Sequence, residues 1–108
     1  MKTVVAIVVA AVFAAGCSSF RAAQLYQSGT EALDRGDVLV AVEDLQEASR
    51  LEPEASEIQN HLGLAYAAGG NDAGALQAFE RAVALDCENE AAQRNLSAAK
   101  AFREAEKP

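Results

Sequence analysis

The sequence contains no tryptophan, one histidine and two cysteines, which leaves few side chains for catalysis or metal binding. A zinc site takes about four cysteine or histidine ligands at characteristic spacings, and Cys17, His61 and Cys87 show no such spacing. No nucleophile and carboxylate accompany His61 in a pattern typical of a catalytic base. We therefore expect no metal site, no cofactor and no enzymatic activity.

Basic residues are also few, and they form no cluster. The 108-residue chain has 9 lysines and arginines against 16 aspartates and glutamates, which gives a formal net charge of −7 at pH 7. A protein with this charge lacks the means to neutralise nucleic-acid phosphates, so nucleic-acid binding is not expected. The length suffices for one small domain.

The longest apolar run lies close to the N-terminus. Lys2 supplies a positive charge, and Val4 to Ala15 form an uninterrupted run of 12 apolar residues. A membrane-spanning helix needs roughly 20 apolar residues, whereas the core of an export signal needs about 7–15. The length of the run therefore favours an export signal. Ordinary cleavage after Gly16 and an uncleaved anchor are the alternatives.

The run is followed by small residues and a thiol, in the order Ala14-Ala15-Gly16-Cys17. This stretch resembles the bacterial lipobox, in which the cysteine is lipidated and then becomes the N-terminus. The resemblance implies a lipoprotein signal peptide over residues 1–16 and a lipid attachment at Cys17, with palmitate as an acyl chain. Residues 17–21 would be a lipidated N-terminus and short linker. Cys87 is expected to be a partly buried turn residue, with a disulfide to an unlipidated Cys17 as the alternative.

Ser18 and Ser19 follow the cysteine, where an aspartate often signals inner-membrane retention in lipoproteins of Gram-negative bacteria. The resemblance therefore implies a protein of the bacterial cell envelope that is attached to the membrane through a lipid anchor. It favours the periplasmic side of the outer membrane if the bacterium is Gram-negative.

From Ala22 onward the sequence repeats with a period of 34 residues. The matching positions are Gly29 and Gly63, Gly36 and Gly70, Ala41 and Ala75, Leu45 and Phe79, Ala48 and Ala82, and Leu51 and Leu85. Apolar residues recur at helical spacing within each unit, so each unit is interpreted as two helices. The pattern predicts five helices, near 22–35, 38–51, 56–69, 72–86 and 90–105.

Turn and cap signals separate these helices. Glycine in Gly36-Asp37 and Gly70-Asn71 suits the end of one helix, and Asp or Asn can cap the next. Ser56-x-x-Gln59 has the form of a capping box, which predicts that Ser56 opens the third helix.

A 34-residue helix-turn-helix unit with this pattern resembles the tetratricopeptide repeat. The second unit carries Leu62-Gly63, Tyr66, Ala75, Phe79 and Ala82 in the family's order, and the first carries Gly29, Ala41, Leu45, Ala48 and Pro53. Glycine and alanine at these positions let paired helices approach closely. The resemblance implies an all-α solenoid domain over residues 22–108, with repeats at 22–55 and 56–89 and a polar capping helix at 90–106. Repeat arrays generally need about three units, so the first helix, with small Ser28 and Ala32, is expected to be short of packing partners on its outer side.

In this family the first helix of each pair lines a concave groove that holds peptide segments. Carried over by position, the groove would be lined by Tyr26, Thr30, Leu33, Glu57, Asn60, Leu64, Ala91, Arg94 and Ala98. Within it, Asn60 and Arg94 could hold a peptide amide or carboxylate. The resemblance implies a non-catalytic interaction or assembly module for an envelope protein or peptide segment. The alternatives are an accessory subunit of an envelope enzyme such as a cell-wall hydrolase, and a homo-oligomer.

Overall fold

Five α-helices joined by short turns make up the computed structural model, which describes residues 2–108 and the side chains from Gly16 onward. The helices are α1 (Lys2–Asp34), α2 (Val38–Leu51), α3 (Ser56–Ala68), α4 (Asp72–Leu85) and α5 (Glu90–Ala105). Helices α1 and α2 form one hairpin, α3 and α4 form a second, and α5 packs against both α4 and α3. No strand occurs among residues 2–108. The all-α solenoid with a C-terminal capping helix is confirmed.

Helix α1 begins at Lys2, whereas the sequence predicts a start near residue 22. That predicted start is wrong, because residues 17–21 continue α1 without interruption. Residues 17–21, Cys-Ser-Ser-Phe-Arg, contain neither proline nor glycine, so no strong helix breaker precedes the repeat there. The side chains of the apolar run Val4 to Ala15 lie outside the described residues. The division into signal peptide, linker and repeat domain stays a prediction.

The ability of a helix to span a membrane can be judged from Gly16 onward, where side chains are described. Where side chains are described, no helix combines the length and the apolar character needed to cross a bilayer.

Two glycines form the turns inside the hairpins. Gly36 and Gly70 have φ values of 78° and 77°, in the left-handed region that side chains disfavour, which confirms their predicted role as helix ends. Asn71 precedes α4, and its side chain accepts a hydrogen bond from the Gly74 N–H at 2.9 Å. Asp37 holds the same position before α2. Within the described residues, the predicted side-chain cap therefore forms at Asn71 but not at Asp37.

Helix α3 begins at Ser56 as predicted, but the predicted capping box does not form. The N-cap residue is Ala55, and the Ser56 hydroxyl instead donates a hydrogen bond to the Ala82 carbonyl at 2.8 Å. The Gln59 amide donates to Ser49 Oγ at 2.6 Å. Both Ser56 and Gln59 are buried, so their side chains connect α3 to the helices around it.

One cluster of the core lies between α1, α2 and α3. Its buried members are Ala32, Ala41, Leu45, Leu62 and Ala65. Ala32 is fully buried in this cluster, and the expected shortage of packing partners on the outer side of the first helix stays a prediction. Ser28 is exposed, and its hydroxyl donates to Asp44 Oδ2 at 2.6 Å. The first helix is therefore joined to α2 by a side-chain hydrogen bond as well as by core packing.

Close approach within each hairpin depends on the predicted small residues. A Cβ at Gly29 would lie 2.7 Å from Leu45 Cγ, and one at Gly63 would lie 2.5 Å from Phe79 Cε1. The matching alanines on the partner helices are buried: Ala41, Ala48, Ala75 and Ala82. Larger side chains at these positions would separate helices that are already in contact.

Replacing Ala82 by leucine is expected to destabilise the domain, because the added atoms must enter a closely packed core. Overpacking of this kind costs about 1–3 kcal/mol, and each kcal/mol lowers the melting temperature of a domain of this size by roughly 4–8 °C. The control is Ala84→Leu, an exposed position in the same helix. Equal melting temperatures for the two variants, measured by circular dichroism, would contradict the packing assigned to Ala82.

Candidate functional site

The first helices of successive units are joined by hydrogen bonds at equivalent positions. The Tyr26 hydroxyl and His61 Nδ1 are hydrogen-bonded at 3.1 Å, and their rings are T-shaped with centroids 5.1 Å apart. One repeat later, Asn95 Nδ2 donates to Asn60 Oδ1 at 2.9 Å. Tyr26 and Asn60 are 34 residues apart, and so are His61 and Asn95. These bonds fix how α3 lies on α1 and how α5 lies on α3.

The Tyr26 hydroxyl also lies in an unfavourable place for a negative charge. Partial burial, and then the nearby Glu57 carboxylate, raise the pKa of Tyr26 above its usual value. His61 Nδ1 is additionally 3.0 Å from the Glu57 carbonyl oxygen. His61 thus serves as a link between helices.

The predicted groove residues differ in how open they are. Asn60 is only 4% exposed, and its Oδ1 accepts the bond from Asn95, so its carbonyl is already paired. The Thr30 hydroxyl donates to the Gln27 carbonyl at 2.9 Å. Arg94 points into solvent, 3.7 Å from Glu90 in an exposed ion pair. Glu57 is exposed, and Tyr26, Leu33 and Leu64 are half-buried. The peptide-binding role of this set stays a prediction.

An open cleft of about 680 Å³ lies between α5 and the α3–α4 hairpin. Its apolar lining includes Leu64, Leu76, Phe79, Ala98, Ala99 and Phe102. Two of these, Leu64 and Ala98, belong to the predicted groove. Ala98 occupies in α5 the position that Leu64 occupies in α3. We call this feature the α5 cleft.

Phe102 is the residue of the α5 cleft that sequence reasoning missed. It is 51% exposed, although the rest of the last turns of α5 is mostly polar. An aromatic residue in a helix expected to present a polar outer face is the signal that could have found it. Charged residues on the rim of the cleft are Asp72, Arg103 and Glu106. The cleft can therefore accommodate an apolar side chain, while the charged residues around it contact charged groups of the same bound segment.

Both cysteines lie at the surface of the protein. Cys17 and Cys87 are both free and exposed, so the expectation that Cys87 is partly buried is wrong. Cys87 lies in the turn between α4 and α5, where the chain runs over the surface. Among the described residues, no group of three or more His, Cys, Asp or Glu side chains could hold a metal ion.

The family comparison agrees with this geometry. The tetratricopeptide repeat model matches residues 26–94, which is more than half of the chain. The chain belongs to the tetratricopeptide repeat family. None of the curated protein sequences compared with the chain matches it. Tetratricopeptide repeats are typically non-catalytic interaction modules, so membership indicates a module that binds protein.

Titration of Tyr26 can be measured directly, because the chain has two tyrosines and no tryptophan. Its folded-state pKa is raised, so its contribution to stability is complete below the unfolded pKa of about 10 and is lost as the pH rises through the folded pKa. We expect the phenolate absorbance of Tyr26, taken as wild type minus Tyr26→Phe, to rise above pH 10. The same difference in denaturant should rise near pH 10. A titration midpoint in the folded protein that is equal to or lower than the midpoint in denaturant would contradict the partial burial described for this hydroxyl.

Proposed function

We propose that this protein is a lipid-anchored assembly module of the bacterial cell envelope that binds a segment of another envelope protein in the α5 cleft. The observation that carries the proposal is the open apolar cleft with Phe102 half-exposed beside it. Membership of a family of interaction modules supports protein as the class of partner.

The chemistry of the cleft favours a peptide segment with a bulky apolar side chain. Covering apolar surface such as that of Phe102 yields roughly 25 cal/mol per Å² removed from water. The volume of the cleft falls within the range of about 300–1,000 Å³ typical of ligand sites. Asp72 and Glu106 on the rim suit basic groups of the segment, and Arg103 suits an acidic one. A helix or extended strand can lie along α5 and present one side chain to the apolar floor.

The lipid anchor is proposed at Cys17. Its support is the Ala15-Gly16-Cys17 sequence after an apolar run of export-signal length, together with an exposed thiol. Several acyl chains on one residue anchor a protein stably, whereas a single chain binds reversibly. With Ser18 and Ser19 after the cysteine, the periplasmic face of the outer membrane is the proposed location in a Gram-negative cell.

Lipidation is tested by labelling cells with a fatty-acid analogue. We expect label on the wild type and on Cys87→Ser, and none on Cys17→Ser, which should also keep residues 1–16. Cys87→Ser is the matched control, since both thiols are exposed. Label on Cys17→Ser would show that the lipid is attached elsewhere.

Binding of an envelope protein in the α5 cleft is tested with a photo-crosslinking amino acid at position 98 in living cells. We call this bound protein the client. Ala98 lines the cleft, whereas Ala101 is an exposed alanine of the same helix outside it, and serves as control. We expect an adduct with one envelope protein from position 98 and not from position 101. Ala98→Arg should abolish association with that protein, while Ala101→Arg should preserve it.

Two results would contradict client binding in the cleft. One is unchanged association in Ala98→Arg, whose long side chain should fill the cleft. The other is an adduct formed with a second copy of this chain, which would indicate self-association in its place.

A further inference from the structure

Phe20 is a large apolar side chain that does not pack in the core. It is 66% exposed although it lies inside the continuous helix α1. Cys17 lies three residues before it and is also exposed, so the two side chains occupy neighbouring positions on one face. The lipid proposed at Cys17 would therefore emerge beside the Phe20 ring.

The face that carries Phe20 changes from apolar to polar with distance from Cys17. The next exposed residues along it are Gln24, Gln27 and Glu31. Residues 17–21 also precede the repeat, because the equivalents of Phe20 are Glu54 and Glu88, which lie in turns between helices. Packing of the solenoid therefore does not account for an aromatic residue at position 20.

The turn of α1 that carries Phe20 contacts the rest of the domain. The Ser19 hydroxyl donates to Glu52 Oε1 at 2.7 Å, which connects this turn to the turn between α2 and α3. Ala22, in the next turn of the helix, is buried. If cleavage before Cys17 removes the preceding residues, Ser18 and Ser19 suit the new helix N-terminus, because serine is a favoured N-cap. No long spacer then separates the anchor from the repeats.

We propose that Phe20 inserts into the interfacial region of the lipid bilayer beside the acyl chains on Cys17, and that this second contact sets the orientation of the domain on the membrane. The inference rests on the proposed lipidation of Cys17. Aromatic and aliphatic side chains on one face of a helix bury at the boundary between headgroups and acyl chains. The net charge of −7 opposes binding to anionic headgroups, so the contact is apolar and suits a zwitterionic bilayer.

Orientation matters because the α5 cleft lies toward the opposite edge of the solenoid. Successive helices reverse direction at short turns, so α1, α3 and α5 run the same way. Leu64 and Phe102 line the cleft from the later parts of α3 and α5. The helix from Cys17 to Asp34 spans about 25 Å, so an upright α1 would hold the cleft well above the lipid surface.

The test uses single tryptophans, since the chain has none of its own. Phe20→Trp and the control Leu39→Trp are purified in lipidated form, and the acyl chains on Cys17 are verified by mass. Leu39 is 78% exposed and lies at the start of α2, at the edge away from Cys17. Each protein is inserted into phosphatidylcholine vesicles that carry bromine on the acyl chain near the headgroup, and circular dichroism confirms that each is helical.

We expect emission from position 20 to shift to shorter wavelength and to be quenched by the brominated lipid, and emission from position 39 to do neither. Equal quenching at both positions, or none at position 20, in acylated protein would overturn the Phe20 contact and leave the anchor intact. Absence of acyl mass on Cys17 would overturn the anchor itself, and this inference with it.

Discussion

Paired helices in this protein contact each other at glycine, and the rest of the fold depends on the short distance between them. At Gly29 and Gly63 there is no room for a Cβ, because Leu45 and Phe79 occupy the space it would need. Two large apolar side chains can thus be buried against the backbone of the facing helix. Each hairpin becomes a thin, rigid unit, and the second stacks on the first. The α5 cleft lies where α5 continues this stacking on the second hairpin.

The repeat pattern predicted α2 to α5 to within about one residue because it depends on local signals. Left-handed glycines at Gly36 and Gly70 act on the turns beside them, and helical spacing acts within each helix. Predictions from local signals were wrong where a residue interacts with another that is distant in the sequence. Ser56 has the form of a cap, but its hydroxyl bonds to the carbonyl of Ala82 across the domain. The start of α1 was missed because the repeat gives no information about residues before it.

The candidate site was predicted in part for a similar reason. Position in the family pattern placed Leu64 and Ala98 on the concave side, and both line the α5 cleft. The same pattern treated Asn60 as an open polar contact, whereas Asn95 covers it and bonds to it. Burial of a polar residue by another polar residue leaves no trace in hydropathy. Phe102 lies beyond the second repeat, where no repeat partner marks it as unusual.

The two unlike pairs, Tyr26 with His61 and Asn60 with Asn95, have a consequence for how the chain assembles. Similar units can stack in the wrong order, and misassembly of units is a characteristic failure of repeat proteins. If α5 occupied the place of α3, Asn95 would face an aromatic ring, and the nearly buried Asn60 would lose its partner. An unpaired buried amide costs about 1–3 kcal/mol. Equivalent positions with different chemistry therefore make each interface recognise its own helix, and they oppose a slip by one unit.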